Sequence, residues 1–127
     1  MGYTKRNLRE SQDMAPRFGH DEVQEARFPW RELEAERTGF ALLRVKPGRR
    51  QTFAHRHGEA EEIYVVLSGS GRFKLDDELV EVGELDAVRI APGVTRSAEA
   101  GPDGLEYLAL GPHHEGDAEI ITEGFWD

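Results

Sequence analysis

Short runs of apolar residues, many alternating with polar ones, follow one another along most of the chain. Glycine, proline and aspartate separate these runs, as they do where strands are joined by turns. Several short strands at regular spacing are typical of an all-β sandwich or barrel. The predicted strands are residues 39–45, 50–56, 62–68, 72–76, 78–82, 86–90, 95–100 and 105–110.

One segment carries a helical pattern instead. Residues 29–36 read PWRELEAE, with Pro29 suited to a first helical turn and Gly39 just beyond the end. Further along, Asp76-Asp77 predicts a tight hairpin turn between two of the predicted strands. The pattern therefore predicts an all-β fold with at most one short helix.

The length of 127 residues fits one domain. We divide it into an N-terminal arm at 1–20, a strand-rich core at 38–111 and a C-terminal segment at 112–127. The arm is polar, and we expect it to be ordered only by docking on the core or on a second subunit. No cysteine occurs, which excludes disulfides, zinc–thiolate sites and cysteine nucleophiles.

The net charge argues against nucleic acid as a partner, and the length of the apolar runs argues against a membrane. The chain has 25 acidic and 16 basic residues, a net charge of −9, whereas proteins that bind nucleic acid carry a basic face. The longest apolar run, residues 63–67, is far too short to span a bilayer, and the first residues lack a signal-peptide core. The sequence therefore predicts a cytoplasmic protein that binds a small molecule, with neither nucleic acid nor membrane as a partner.

Two histidines one residue apart occur in the segment 53-FAHRHGEAEEIYVVLSGSG-71. On a strand, His55 and His57 point to one face, where they can share a single cation. A carboxylate from the next strand would complete a set of three ligands that suits zinc or non-haem iron(II) and leaves positions open for substrate. The same spacing also occurs on ordinary polar edge strands, so spacing alone leaves both interpretations open.

Residues 48–71, GRRQTFAHRHGEAEEIYVVLSGSG, resemble the first conserved motif of the cupin superfamily. That motif runs glycine, about five residues, His-x-His, three or four residues, glutamate, six residues, glycine. The first gap is one residue longer here, and the other spacings agree. Because six residues separate Glu62 from Gly69, the resemblance implies that Glu62 is the third ligand beside His55 and His57.

Residues 83–100, GELDAVRIAPGVTRSAEA, resemble the second cupin motif, which ends in Pro-x-Gly, two residues, histidine, three residues and asparagine. Anchoring on Gly93 puts Arg96 at the histidine, the usual fourth metal ligand of the superfamily, and Ala100 at the asparagine. Together the two motifs imply a single cupin domain over 1–127. Its fold would be a double-stranded β-helix, or jelly-roll barrel, with the site in the barrel mouth.

Arg96 bears directly on the expected metal site, because arginine stays protonated and cannot be a ligand. A guanidinium about 5 Å from a divalent ion is repelled by roughly 6–7 kcal/mol at an effective dielectric of about 20. Arg96 therefore turns away towards Glu61 or solvent, clamps an anionic substrate beside the ion, or pairs with Glu62, fills the cavity and leaves a metal-free site. His113 and His114 could supply a replacement nitrogen, although we expect both to be exposed loop residues.

Alternation along the strand that follows the histidines puts Glu62 and Tyr64 on one face and Ile63, Val65 and Leu67 on the other. Burial alone would turn the second, more apolar face inward. The motif implies the reverse, and we follow it. The apolar outer face then needs a cover, either the N-terminal arm or another subunit, which predicts a homodimer.

The sequence favours a metal-dependent enzyme with oxidoreductase or isomerase chemistry on a small anionic metabolite. The ion would be Fe, Zn, Mn or Ni, which the sequence does not distinguish. Arg96, Gln51 and Tyr64 are the expected substrate contacts, and Arg96 and Tyr64 are also the candidate catalytic groups. The alternatives are a metal-free cupin that binds a sugar or an acid without catalysis, and a metal-independent epimerase that uses His57 or Tyr64 for proton transfer.

Overall fold

The computed structural model describes residues 2–113 and 116–127. Two short 3-10 segments, Leu8–Glu10 and Ala15–Phe18, precede eight strands in this part of the chain. None of its helical segments has the length and apolar character needed to cross a bilayer. The strands are β1 (Gln24–Arg27), β2 (Thr38–Val45), β3 (Ala54–His57), β4 (Glu62–Leu75), β5 (Glu78–Gly83), β6 (Ala87–Ile90), β7 (Arg96–Pro112) and β8 (Ala118–Ile121).

The two longest strands, β4 and β7, pair antiparallel along most of their length and form the centre of the fold. Strand β7 also pairs with β2 and β3, and β4 also pairs with β5 and β6, so that the sheet curls into a jelly-roll barrel. Strand β1 pairs with β2, and β8 pairs with β3, at the two ends of the strand path. The predicted all-β jelly roll is confirmed.

Glycines in β4 separate what the sequence predicts as two strands, 62–68 and 72–76. The structure has one continuous strand here, and its register against β7 shifts around Gly69 and Gly71. Gly69 has a φ of 77°, and a β-carbon on it would collide with the Gly104 carbonyl. Because glycine adopts this backbone conformation without strain, these positions bend the strand without ending it.

The two faces of β4 are oriented as the motif implies, with one face directed into the core and the other directed outward. Tyr64 and Val66 belong to the buried core, where they pack with Phe73 and Tyr107, whereas Ile63 is 41% exposed. The aromatic members of this cluster meet at centroid distances of 5.0–5.3 Å. Since side chains alternate along a strand, Glu62 at the start of β4 shares the inward direction of Tyr64.

The helix predicted over 29–36 does not form. The Leu33 N–H donates to the Pro29 carbonyl in a single helical turn, but Glu34 adopts a φ of 59° and ends it. Strands β1 and β8 are also absent from the sequence prediction. Each has only four residues, which is too short for an alternation of apolar and polar positions to be recognised. Both gain strand conformation by pairing with a longer or more central neighbour.

The predicted hairpin at Asp76-Asp77 is confirmed, since it joins β4 to β5 with Leu75 opposite Glu78. Asp76 has a φ of 52°, a left-handed conformation that aspartate tolerates better than most residues.

The N-terminal segment docks on its own barrel. The Asp13 carboxylate accepts a hydrogen bond of 2.9 Å from the backbone N–H of Ala26 in β1. Arg9 forms an ion pair of 2.8 Å with Glu106 on β7. This docking brings Phe18 to the wall of the internal cavity of the barrel.

Candidate metal centre

Three side chains from two strands converge at one end of the barrel. His55 and His57 lie on β3 with ring centroids 5.2 Å apart, and Glu62 is the first residue of β4. One ligand atom from each lies within 4.8 Å of the other two. The structure thus brings together the three residues that the sequence singles out as metal ligands, and we call them the ligand trio.

The Glu62 Oε1 atom lies at the centre of the trio. It is 3.2 Å from His57 Nε2 and 3.9 Å from His55 Nε2, and it is buried without a well-aligned hydrogen-bond donor among the described residues. A buried carboxylate oxygen without such a donor costs free energy. A cation held by both imidazole nitrogens and this oxygen would remove that cost, so the donor set fits a divalent metal ion.

The electrostatics of the site favour the protonation states that a metal requires of Glu62 and His55. Burial by itself raises the pKa of Glu62, but His55, His57 and Arg96 outweigh burial and lower it to about 2. Burial lowers the pKa of His55, with an opposing contribution from Glu62 and a further lowering by Arg96. At neutral pH, Glu62 is therefore ionised and His55 is neutral, as metal ligands must be.

Arg96 begins β7, directly opposite His55, and only 1% of it is exposed. Its Nη2 atom is 3.7 Å from Glu62 Oε1, and its guanidinium nitrogens have no hydrogen-bond acceptor among the described residues. In the structure Arg96 pairs with Glu62 but does not fill the cavity, whose described lining contains no arginine. Glu61 instead pairs with Arg89 at 3.2 Å on the exterior. The expected substrate contact by Arg96 would require its guanidinium to leave Glu62.

Asp117, which the sequence analysis did not single out, lies behind His57. Its Oδ2 atom is 3.4 Å from His57 Nδ1, and its carboxylate accepts backbone N–H groups of Glu59 and Ala60 at 3.0 and 3.1 Å. The two backbone hydrogen bonds hold the loop that follows β3, and the Asp117 carboxylate lies on the Nδ1 side of the imidazole, whose Nε2 faces Glu62. No local signal marks this aspartate, because it is distant in sequence and lies beside a glycine.

A cavity of about 600 Å³ opens beside the trio, a size typical of small-molecule sites. Among the described residues that line it, none is arginine, lysine or aspartate, and Glu62 is the acidic one. Aromatic side chains dominate the walls and come from several elements of the fold. They are Phe18, His20, Phe28, Trp30, Phe40, Phe53, Tyr64, Tyr107 and His113, besides the two histidines of the trio.

Gln51 and Tyr64, the other expected substrate contacts, both lie in the cavity wall. The Gln51 amide nitrogen donates to Gln24 Oε1 at 2.7 Å and to the Tyr107 hydroxyl at 3.3 Å, and its oxygen accepts from the Ala98 N–H at 2.9 Å. Gln51 is therefore already engaged within the protein. Burial, together with Tyr107 and Glu62, raises the pKa of Tyr64 well above its usual range, so its phenol stays protonated.

Of the two histidines considered as a replacement ligand, His113 does not join the trio. His113 is exposed at the cavity rim, where its ring packs on Trp30 at a centroid distance of 4.2 Å. His114 lies outside the described residues.

Comparison with known proteins gives a family match over more than half of the chain. Residues 41–109 match the family model described as the cupin domain. An uncharacterized protein of Methanocaldococcus jannaschii is 34% identical over 80 residues, which cover 61% of this chain and 64% of that relative. The match therefore spans slightly less than two thirds of the relative's own length.

Two solved structures have the same fold over nearly the whole chain. A cupin protein from Bacteroides fragilis is 24% identical with a TM-score of 0.71, covering 98% of this chain and 92% of its own. The polyketide cyclase RemF from Streptomyces resistomycificus is 20% identical with a TM-score of 0.75, covering 95% of this chain and 85% of its own. At these identities the likeness establishes the fold and does not extend to activity.

Proposed function

This chain belongs to the cupin superfamily, and we propose that it is an enzyme that binds one divalent metal ion through His55, His57 and Glu62. Its substrate would be a small molecule held in the adjoining cavity. The observation that carries the proposal is the position of Glu62 Oε1. This atom is buried, lacks a well-aligned donor among the described residues, and lies within 3.9 Å of an Nε2 atom of each histidine.

The trio would hold the ion by two imidazoles and one carboxylate, leaving coordination positions for a substrate oxygen or water. When bound, such an ion supplies Lewis-acid activation of a substrate oxygen, and iron(II) supplies oxygen chemistry in addition. Aromatic cavity walls border the site, and the protonated Tyr64 phenol can donate a hydrogen bond to a substrate oxygen. These roles fit isomerase or oxidoreductase chemistry with Fe, Zn, Mn or Ni.

The Arg96–Glu62 contact favours a second candidate, a metal-free cupin that binds a small molecule without catalysis. The guanidinium 3.7 Å from Glu62 Oε1 already places a positive charge beside the carboxylate. A divalent ion added within the trio would be repelled by this charge by several kcal/mol. In this alternative the cavity wall alone recognises the ligand.

Metal content separates the two candidates. Untagged protein would be incubated with Fe, Zn, Mn or Ni, desalted and analysed by inductively coupled plasma mass spectrometry. We expect about one equivalent of at least one of these metals per chain in the wild type, and none in His57→Ala, because losing one of three ligands removes most of the affinity.

His113→Ala is the matched control, since it removes an exposed histidine outside the trio and should leave the metal content unchanged. Wild-type protein that retains none of the four metals would exclude the enzyme proposal in favour of the binding protein. Equal metal loss in both variants would mean that the ion is held elsewhere.

A further inference from the structure

The cavity presents flat aromatic faces from widely separated parts of the chain. Phe18 comes from the N-terminal segment, Trp30 from the turn after β1, Phe40 from β2 and Tyr107 from β7. Phe18 is 58% exposed, so this large apolar side chain borders the cavity without being buried in the core. Apolar surface left open around a cavity in this way is typical of a ligand-binding wall.

The same cavity is poorly suited to an anion or a sugar. Apart from a bound metal ion, carboxylates and phosphates are held in proteins by arginine, lysine or clustered backbone N–H groups, and no arginine or lysine occurs among the described residues of the cavity wall. The Gln51 amide bonds to Gln24 and Tyr107. Few polar groups therefore remain for the many hydroxyls of a sugar, each of which costs free energy when it is buried without a partner.

We infer that the cavity binds an uncharged aromatic molecule of two or three rings that carries a hydroxyl or carbonyl oxygen. The rings lie against the aromatic wall, and the oxygen is directed at the ligand trio. The volume of about 600 Å³ accommodates such a molecule. The ring preference rests on the wall alone, whereas the placement of the oxygen rests on the proposed metal function. This ligand class replaces the anionic metabolite expected from the sequence, which depended on Arg96 facing the cavity.

The ring preference can be tested in protein freed of metal by a chelator. Isothermal titration calorimetry would compare 2-naphthol with 2-naphthoate, which has the same rings and a negative charge, and with glucose. We expect 2-naphthol to bind at least about tenfold more tightly than either, because burying an unpaired carboxylate or several hydroxyls is costly. Equal or tighter binding of 2-naphthoate or glucose, or no binding of 2-naphthol at about 1 mM, would overturn the inference.

The oxygen placement is tested in zinc-loaded protein. There 2-naphthol should bind more tightly than in the metal-free protein, while naphthalene, which lacks the oxygen, should bind equally in both. Unchanged 2-naphthol binding in protein shown to hold zinc would overturn the placement of the oxygen. If the protein holds no zinc, the same titration uses whichever of Fe, Mn or Ni it retains. Failure to hold any of the four metals would instead count against the proposed function and leave the ring preference to be judged in the metal-free titrations.

A charge placed in the wall should reverse the preference. In Phe40→Lys, 2-naphthoate should gain at least about tenfold in affinity and 2-naphthol should lose affinity, because the new ammonium can pair with the carboxylate. Leu85→Lys is the control, since Leu85 is 76% exposed and outside the cavity lining. Trp30→Ala, a second and milder variant, should weaken 2-naphthol without favouring 2-naphthoate. A folded Phe40→Lys protein that keeps the wild-type preference would contradict the inference.

Discussion

The charge of Arg96 is the single-residue feature that most affects the proposed metal affinity. Its α-carbon lies directly opposite that of His55, so the two side chains project from the same face of the sheet. Without a metal, the guanidinium offsets the charge of Glu62 at 3.7 Å. With a metal, it repels the ion and competes for the same carboxylate. A histidine at this position would remove the repulsion and add a nitrogen beside the trio.

We therefore predict that Arg96→His binds zinc at least about 100-fold more tightly than the wild type. Relieving even half of a repulsion of about 6 kcal/mol is worth roughly two powers of ten in affinity. The measurement is a competition titration against a chromophoric chelator. Arg96→Met removes the charge without adding a ligand and should give a smaller gain. Unchanged affinity in both folded variants would mean that residue 96 does not act on the trio.

The sequence identifies the ligand trio but not the residues around it, for a physical reason. His55, His57 and Glu62 lie within eight consecutive residues, where strand alternation and a short connection determine which side chains can meet. Asp117 reaches His57 only because β8 pairs with β3, and that pairing has no local signature. The direction of Arg96 likewise depends on the packing around it, which is why the sequence left three arrangements open.

At the scale of elements, the apolar–polar pattern predicts a strand correctly where one face of the strand is buried and the other is exposed. It fails where pairing with a distant part of the chain determines the conformation. The long strands β4 and β7 alternate clearly and were predicted, although each as two pieces. Residues 29–36 have reasonable helix formers, but eight residues are too few for an independent helix, and the conformation of Glu34 ends the turn. The glycines of β4 resemble strand ends in the sequence, whereas the structure uses them to keep β4 paired with β7.

Gly69→Ala should destabilise the protein by about 2–4 kcal/mol, through left-handed strain and a collision of the new methyl group with the Gly104 carbonyl. Urea unfolding followed by circular dichroism measures the change. Gly83→Ala is the matched control at the end of β5, where a β-carbon meets no atom within 4 Å. It should change stability by no more than about 0.5 kcal/mol. Equal effects of the two substitutions would contradict the strain and the collision assigned to a side chain at position 69.

For the whole molecule, the outer face of β4 is the surface that most requires a partner. Ile63 is 41% exposed, and Val65 and Leu67 are half-buried. The register of β4 against β7 sets Leu110 opposite Ile63 and Leu108 opposite Val65, which extends the apolar surface across two strands. The N-terminal arm docks on its own barrel and still leaves Ile63 open. A second copy of the chain therefore stays the predicted cover.

This prediction is tested by sedimentation velocity over a range of concentrations. The wild type should sediment as a dimer, and Ile63→Glu should weaken dimerisation by at least about 30-fold, because a carboxylate buried in an apolar interface without a partner costs 2 kcal/mol or more. Leu79→Glu is the control, since Leu79 is also exposed but lies opposite Lys74, towards the far end of β4. It should leave the dimer intact. Of the two substituted residues, Ile63 belongs to the continuous apolar surface of β4 and β7, and Leu79 does not. A monomeric wild type, or equal weakening of dimerisation by both variants, would therefore exclude a dimer through this face.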